Sequence, residues 1–539
     1  MKPPHAAPHP SFGGHRPAAA ISTGACVSTQ NDYDVIIIGT GAGGGTLTHR
    51  LAASGKRILL IERGGFLPRE RENWDPVAVF REGRYQAKET WYDKHDAPFS
   101  PYTHYWVGGN TKVYGAALLR MREFDFGEVR HYGGVSPAWP ISYRDLEPYY
   151  TQAEQLYCVH GRRGADPLDP PASAPYPHEP LPHEPRIREL FDDLTALGCR
   201  PFPIPLGVRL NGNGAGRSPC HLSYFDGFPD PTEVKADSHV VGVQPALERS
   251  NVSILTESRV QRLLTSPSGR EIAGVVVNRN GEALTLRGSV VVVACGAINS
   301  AALLLRSAND RHPNGLANGS GLVGRNYMCH HNGLFIAVFD RPNPSQFQKT
   351  LGLTDFYRGT DDSDLPLGTI QLMGKLDLDS LKALSADRLP DMPVEKISAH
   401  SIDFFLTAED LPHAENRVTL RKDGAIKVSY TDTNAEAYER LRKRLEQLLD
   451  QADRRGGGRG GVYLHARLGV SGVSHQNGTL RFGADPAASV LDVNCRAHEI
   501  DNLYVVDGGF FPSSSAVNPS LTIMANALRV GDHLLSRLR

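Results

Sequence analysis

A glycine-rich turn between an apolar strand and a helix constrains the fold of this chain more than any other feature. Residues 33–38 are mostly β-branched, which predicts a buried parallel strand. The pattern G-x-G-x-x-G follows at once at Gly39, Gly41 and Gly44, and an apolar run over 56–61 predicts the next strand. A strand, a glycine turn, a helix and a second strand form a βαβ unit, so the sequence predicts an α/β fold.

Each residue of this turn has a physical role in binding a dinucleotide. Gly39 permits the tight turn, Gly41 lets the backbone approach a pyrophosphate, and Gly44 lets the helix pack closely on the strand. Thr40 lies within the turn, and the helix N-terminus beyond it faces the phosphate charge. Glu62 ends the second strand, where its carboxylate can accept a ribose hydroxyl. The alternative is a structural βαβ turn with a solvated Glu62, but the combined context favours the dinucleotide.

The end of the chain returns to the same kind of pattern. Residues 503–506 predict a buried strand that ends in Asp507 and Gly508. Asn518 and Pro519 then open a helix, with Asn518 as the N-cap and Pro519 at the first helical position. The first and last segments are therefore predicted to build one domain. A remote strand and a capped helix suit FAD, lying across that domain, better than NAD.

Composition shifts along the chain predict the domain organisation. Residues 1–31 are rich in Pro, Ala, His and Gly and are expected to form a disordered tail. Residues 32–329 and 471–539 are assigned to the nucleotide-binding domain, which also carries inserted loops and part of the second domain. Residues 330–470 mix strand-like runs with an amphipathic helix around 435–452, and they are assigned to a substrate-binding domain.

Charge, hydropathy and cysteine usage exclude several functional classes. The chain has 58 Lys and Arg residues against 59 Asp and Glu residues, a net charge of −1, which gives no bulk attraction for nucleic acid or anionic lipid. Its longest apolar runs are far shorter than the ~20 residues that span a bilayer. The seven cysteines are scattered without a C-x-x-C pair, so no disulfide framework and no metal site is expected. Reduced thiols fit a cytoplasmic location.

Five motifs in a fixed order carry a family resemblance. They are the N-terminal fingerprint through 62–65, then 107–111, 294–300, 474–479, and 505–507 followed by 516–519. With these motifs the chain resembles the glucose–methanol–choline (GMC) oxidoreductase family of flavoproteins, and it is nearest in pattern to bacterial pyranose and glycoside oxidoreductases. The resemblance implies a Rossmann-type FAD-binding domain with an interleaved substrate domain built on an antiparallel sheet.

The resemblance also implies the site residues, with His475 and Asn518 as the catalytic pair. Oxidising an alcohol needs a base for the hydroxyl proton while a hydride leaves carbon for flavin N5, and a histidine with a pKa near ~6.5 can be that base. Asn518 can hydrogen-bond the developing alkoxide, although helix capping is a competing role, and His475 could instead be a satisfied core histidine. The cofactor-binding residues implied are Gly39, Thr40, Gly41, Gly44, Glu62, Arg63, Gly109, Asn110, Thr111, Val260, Gly296, Asp507, Gly508 and Pro519.

Departures from the family pattern refine these expectations. Some members link FAD covalently through a His in the loop after the Gly-Gly pair. When the loop is aligned on Gly108 and Gly109, that position holds Val113, and His104 is out of register because it precedes the glycines. FAD is therefore expected to bind non-covalently. Tyr114 stands where an Asn is frequent, so contacts to the flavin edge must differ. The helix that begins near Pro519 is expected to stabilise the anionic reduced flavin with its N-terminal dipole.

Together these expectations describe an FAD-dependent oxidoreductase that oxidises a CH–OH group, a secondary hydroxyl of a sugar or glycoside, by hydride transfer to flavin N5 with a His base. The alternatives are a choline or simple-alcohol dehydrogenase of the same family, a non-redox FAD-binding lyase, an electron-relay protein and an NAD-dependent dehydrogenase. Oxygen, a quinone and a carrier protein all stay open as the electron acceptor.

Two regions have no settled interpretation at this stage. The sequence assigns no function to Cys220 or to the turn over 226–230. The loop over 341–358 is either a polar substrate lid or an ordinary surface loop, and its polar residues include Gln346, Gln348, Lys349 and Asp355.

Overall fold

The computed structural model describes residues 32–210, 224–384 and 392–539. The tail predicted over 1–31 and Cys220 lie outside these ranges. Within them, no helix is long and apolar enough to cross a membrane. The helices are α1 (Ala42–Ala52), α2 (Tyr143–Leu156), α3 (Pro185–Ala196), α4 (Gln244–Leu247), α5 (Ala297–Arg306), α6 (Leu378–Leu384), α7 (Val394–His400), α8 (Ala435–Arg455) and α9 (Ser520–Arg537).

The strands form two large sheets and several smaller ones. They are β1 (Asp32–Ile38), β2 (Ile58–Ile61), β3 (Trp91–Asp93), β4 (Pro98–Phe99), β5 (Val129–His131), β6 (Gly134–Ser136), β7 (Val159–His160), β8 (Phe202–Pro203), β9 (Leu206–Gly207), β10 (Val252–Leu255), β11 (Ser258–Thr265), β12 (Ile272–Arg279), β13 (Glu282–Val293), β14 (Met328–Cys329), β15 (His331–Val338), β16 (Leu351–Leu353), β17 (Thr369–Leu372), β18 (Ser401–Ala408), β19 (Arg417–Leu420), β20 (Ile426–Ser429), β21 (Val462–Arg467), β22 (Gln476–Asn477) and β23 (Leu503–Val505).

The first sheet has the strand order β10-β2-β1-β13-β12-β11, and β23 also pairs with β13. Strands β10, β2, β1, β13 and β23 run parallel, and residues 35–38, 58–61 and 290–293 are buried. Buried parallel strands consist of nearly continuous runs of Val, Ile and Leu because both faces of the sheet are covered. With α1 packed against α9 and β23 paired with β13, the first and last segments contribute to one Rossmann-type unit.

The second sheet has the order β21-β15-β18-β17-β16-β8 and is antiparallel. Helices α8 and α3 pack on it, and one core cluster joins Phe335 of β15 to Leu441 of α8 and Leu190 of α3. Helix α8 is the amphipathic helix predicted around 435–452. Since β8 and α3 precede residue 330, this layer is built from more of the chain than 330–470 alone.

Close packing at the start of α1 depends on residues without a side chain. A Cβ on Gly44 would lie 2.0 Å from the carbonyl oxygen of Gly39, and one on Gly43 would lie 2.0 Å from that of Val506. Gly39 itself has φ of +97°. By contrast, a Cβ on Gly41 would meet no atom within 4 Å. The helix therefore sits against β1 and β23 as closely as backbone allows, with Gly41 facing open space.

This difference predicts opposite outcomes for two matched substitutions. We expect Gly44→Ala to destabilise the cofactor-free protein by about 1–3 kcal/mol, because the new methyl group overlaps the strand backbone. Gly41→Ala should leave the stability of the cofactor-free protein unchanged, since its methyl group enters open space. Urea unfolding of both variants beside the wild type measures this. Equal midpoints for Gly44→Ala and the wild type would contradict the packing argument.

Candidate active site

One cavity of about 490 Å³ brings together nearly all the residues predicted for the site. It begins at the carboxyl ends of β1, β2, β13 and β23 and reaches the second sheet at β15, β17 and β18. Gly44 is absent from its lining because that residue packs under the turn. The predicted residues that line it are Gly39, Thr40, Gly41, Glu62, Arg63, Gly109, Asn110, Thr111, Val260, Gly296, His475, Asp507, Gly508, Asn518 and Pro519.

Three helix N-termini open onto this cavity. Helix α1 begins after Gly41, α5 after Gly296 and α9 after Pro519. None of the three has a side-chain cap bond or an acidic residue in its first turn. Unpaired N–H groups and the positive end of a helix dipole favour anionic groups. The cavity therefore suits a ligand that carries negative charge at more than one point along its length.

The carboxylate of Glu62 is held at the end of β2 by the fingerprint turn. Its Oε2 atom accepts hydrogen bonds from the Thr40 amide (3.1 Å) and hydroxyl (2.6 Å), and Oε1 accepts one from the Gly64 amide (3.2 Å). Burial raises the pKa of Glu62, and these hydrogen bonds lower it. The carboxylate is therefore fixed beside the pyrophosphate turn, where an acceptor for a ribose hydroxyl is expected.

Asp507 shapes the opposite side of the same turn. Its Oδ2 accepts from the Gly296 amide (3.0 Å) and the Ser300 hydroxyl, and Oδ1 accepts from the Gly509 amide (2.9 Å). Burial raises the pKa of Asp507, against the lowering effect of these bonds. The side chain thus ties the end of β23 to the N-terminus of α5.

The loop over 107–111 lies directly against the fingerprint. Gly109 has φ of +55°, and a Cβ there would lie 3.1 Å from the Cα of Gly41. The Asn110 side-chain oxygen accepts a hydrogen bond from the His104 amide at 2.9 Å, and the Thr111 hydroxyl donates to the Gly108 carbonyl. These bonds shape the loop itself, and the Gly108 amide joins it to the fingerprint by donating to the Thr40 hydroxyl at 3.0 Å.

Arg63 and Val260 occupy the same half of the cavity. The Arg63 guanidinium donates to both carboxylate oxygens of Glu89 and lies 3.9 Å from the centre of the Tyr105 ring. Val260 sits at a shift in the β11–β12 register, which locally interrupts strand pairing. Backbone atoms freed by such a bulge are available to a ligand.

The other half of the cavity holds the predicted catalytic pair. His475 is half-buried at the cavity wall, with its Nδ1 atom 2.9 Å from Nδ1 of His330 and 3.2 Å from the side-chain nitrogen of Asn332. Burial lowers the pKa of His475 well below its ordinary value, and the positive charge that Lys349 carries, and that a protonated His330 would carry, lowers it further. The imidazole is therefore neutral at physiological pH, which is the state a general base requires.

Asn518 does not cap α9, so that part of the sequence prediction is wrong. The helix begins at Ser520, Pro519 takes the cap position, and there is no side-chain cap bond. The Asn518 oxygen instead accepts a hydrogen bond from the Gln371 side chain of β17 at 3.2 Å. The carboxamide oxygen is therefore used in a tertiary contact with the second sheet, and the carboxamide nitrogen remains available as a donor at the cavity wall.

Several residues at the site were missed by the sequence analysis. His330 and Asn332 flank the start of β15, and the adjacent pair His330–His331 in an apolar run was the one available signal. Of the polar residues named in the 341–358 loop, only Lys349 lines the cavity. Its ammonium group forms an ion pair at 2.7 Å with Asp226, which lies in the turn over 226–230 to which the sequence analysis assigned no function. Such pairings join distant segments and leave no local pattern.

Comparisons with known proteins identify the family of this chain. Family models described as GMC oxidoreductase match residues 103–332 and 412–527, more than half of the chain. The chain belongs to the GMC oxidoreductase family. It is therefore an oxidoreductase of the class that acts on CH–OH groups, and within the described residues no cluster of His, Cys, Asp or Glu could hold a metal ion.

Two curated relatives cover nearly the whole chain. The 6'''-hydroxyparomomycin C oxidase of Streptomyces lividus is 35% identical over 94% of this chain and 92% of its own length. The paromamine 6'-oxidase of Streptomyces fradiae is 32% identical over the same shares. Among solved structures, the FAD-containing formate oxidase of Aspergillus oryzae superposes with a TM-score of 0.66 at 15% identity, over 94% of this chain and 98% of that one. That likeness supports the fold.

The anchoring role of Asp507 gives a test of the site's architecture. We expect Asp507→Ala to destabilise the protein by about 1–3 kcal/mol, because the buried donors of Gly296, Ser300 and Gly509 lose their acceptor. Asp501→Asn is the matched control, since its partner Arg270 is largely exposed and such a pair contributes about 0–1 kcal/mol. Denaturant unfolding of both variants measures the difference. Equal losses would show that Asp507 is not an anchor.

Proposed function

We propose that this protein is an FAD-dependent enzyme that oxidises a hydroxyl group of a sugar, glycoside or aminoglycoside, with His475 as the base. One observation carries the proposal: a single cavity joins the glycine fingerprint to a neutral His475. A cofactor bound along the first half would end beside the residues of the second half. The names of the two Streptomyces relatives, which are oxidases of paromamine-type molecules, support the substrate class.

The residues present fit FAD. The α1 N-terminus and the bare Gly41 provide a cradle for the pyrophosphate, and Glu62 provides an acceptor for the ribose hydroxyl. The α9 N-terminus at Pro519 provides positive potential for the flavin pyrimidine. We propose non-covalent binding, because the loop position that aligns with the linking His of some family members is Val113, whose hydrocarbon side chain lines the cavity and cannot form that bond.

The reaction divides between the cofactor and two side chains. When bound, FAD supplies a two-electron acceptor at N5 for the hydride that leaves the alcohol carbon. His475 takes the hydroxyl proton on its Nε2 atom, so the substrate loses one hydride and one proton and becomes a carbonyl compound. Asn518 donates from its side-chain nitrogen to the alkoxide oxygen, and Gln371 holds the other end of that carboxamide.

The lining of the substrate half fits a neutral, hydroxyl-rich group. Asn332, Gln371 and the Lys349–Asp226 pair face the cavity, opposite apolar side chains such as Leu334. The Asp226 carboxylate is already neutralised by Lys349 and also accepts from the Gly374 amide at 2.6 Å. We infer that the reacting ring is recognised through hydroxyl groups, because this carboxylate is not free to bind an ammonium group.

An anaerobic absorbance spectrum tests the proposed function directly. Purified protein should show oxidised flavin that is bleached by one class among sugars, glycosides, aminoglycosides, choline and simple alcohols. Acid denaturation should release all of the flavin into the supernatant, since binding is non-covalent. Flavin that stays with the precipitate would overturn non-covalent binding. A protein that binds no flavin would overturn the whole proposal, and bleaching by choline or simple alcohols alone would overturn the substrate class.

Removing the base should abolish turnover without removing the cofactor. We expect His475→Ala to slow anaerobic flavin reduction roughly 10²- to 10⁴-fold, the usual contribution of a positioned base. His465→Ala is the matched control, because His465 lies on the exposed edge strand β21. Stopped-flow absorbance at equal flavin content compares the two variants. Unchanged reduction in His475→Ala would exclude this histidine as the base.

The lowered pKa of His475 predicts the pH dependence. A base acts when it is unprotonated, and a lowered pKa keeps it unprotonated as the pH falls through the ordinary His range near ~6.5. We therefore expect kcat/KM to stay level between about pH 8 and pH 6.5 and to fall only in more acidic solution. A pH profile measured with the best substrate checks this. A half-maximal value at or above ~6.5 would contradict it.

A further inference from the structure

His330 contacts the proposed base from the side away from the cavity. It lies between β14 and β15, is buried, and stands with its ring perpendicular to that of His475 at a centroid distance of 5.0 Å. The two Nδ1 atoms are 2.9 Å apart. At this distance one nitrogen carries a proton and the other accepts it.

The other nitrogen of His330 decides which ring donates. Nε2 of His330 lies 3.2 Å from the carbonyl oxygen of Ser514, and a carbonyl can only accept. Nε2 therefore carries a proton. Burial lowers the pKa of His330, so the ring is neutral and holds only that proton. Its Nδ1 is then bare, and the proton between the two rings belongs to His475.

The Ser514 carbonyl is held in place by its surroundings. The Ser514 hydroxyl donates to the Asp410 carbonyl at 3.0 Å, and the Ser515 amide donates to Glu409 at 3.0 Å. The Ala516 amide donates to the hydroxyl of Tyr357 at 3.1 Å. Ser515 also has φ of +54°, a conformation that a non-glycine residue keeps only when its neighbours enforce it.

We propose that His330 is a positioning residue that fixes the tautomer of His475, with the proton on Nδ1 and the bare Nε2 turned to the substrate. The proposal rests on the proposed role of His475 as base. Nε2 makes no hydrogen bond within the described residues, which agrees with a nitrogen kept for the substrate. As placed, the Asn332 nitrogen lies 3.2 Å from Nδ1 of His475, and the Asn332 oxygen accepts from the Thr407 hydroxyl at 3.0 Å. The proposed tautomer requires this carboxamide in the opposite orientation, with its oxygen accepting the Nδ1 proton.

A neutral imidazole differs from a carboxylate in this position. A carboxylate beside the ring would stabilise the protonated base and raise its pKa, whereas His330 fixes the ring without adding negative charge. The charged groups nearest to His475 on the cavity side are Lys349 and its partner Asp226. The arrangement orients the base and also keeps it unprotonated.

The tautomer can be measured without any turnover. Holoenzyme labelled with ¹⁵N-histidine is recorded at neutral pH by long-range ¹H–¹⁵N correlation, and His475→Gln assigns the signals of His475. We expect a protonated Nδ1 and a bare Nε2. A bare Nδ1, or protons on both nitrogens, overturns the proposal. Because this readout is independent of catalysis, it remains decisive even if no alcohol reduces the flavin and the proposed function fails.

Two conservative variants separate positioning from structural support. In H330N the amide oxygen replaces Nδ1 at the same number of bonds from Cα and keeps an acceptor for His475. In H330Q the amide replaces Nε2, which keeps the Ser514 contact but leaves His475 without a partner. We expect H330Q to slow flavin reduction at saturating substrate roughly 10- to 100-fold, with the substrate Kd unchanged. H330N should stay within a few-fold of the wild type.

The outcomes of this pair are distinct. A wild-type rate in H330Q, or equal losses in both variants at equal flavin content and melting temperature, overturns the positioning role. If either variant fails to fold, the tautomer measurement on the native holoenzyme decides the proposal.

Discussion

The close approach of α1 to the strand backbone is the constraint on which the rest of this site depends. Gly43 and Gly44 let the first turn of the helix lie against the carbonyls of Val506 and Gly39, where any side chain would overlap them. That contact places the open helix N-terminus at the floor of the cavity. It also links β1 to β23, so the start and the end of the chain are held together at the point where the proposed cofactor binds.

The segment after β23 connects the two halves of the cavity. Asp507 fixes the start of this segment to α5, and Asn518 at its end bonds Gln371 of the second sheet. Between them, the Ser514 carbonyl accepts from His330. One stretch of chain therefore sets the position of the fingerprint turn, of Asn518 as the proposed alkoxide donor and of the residue that supports the proposed base. A change in its path would alter all three together.

The sequence predicted local features well and tertiary ones poorly, for a physical reason. The fingerprint, β1, β2 and α8 are encoded in runs of neighbouring residues, so periodicity and glycine spacing were enough to find them. The partner of His475 lies 145 positions away, and Lys349 pairs with Asp226 across 123 positions. Asn518 shows the same limit, because capping propensity is a local preference that a single bond from Gln371 overrode. The family resemblance placed His475 and Asn518 but carried no information about what holds them.

Charge is distributed unequally along the cavity, and this distribution matches the proposed division of labour. The fingerprint half has helix N-termini, which suit the anionic groups of a ligand, and carboxylates that accept hydrogen bonds from neighbouring amide and hydroxyl groups. The substrate half has a neutral base, amide groups and one internally compensated ion pair. In the proposed reaction a hydride leaves the carbon and a proton leaves its oxygen. A base that stays neutral until the substrate arrives avoids placing a buried positive charge beside the reacting carbon. His330 meets that requirement because it orients the imidazole through a hydrogen bond and contributes no net charge of its own.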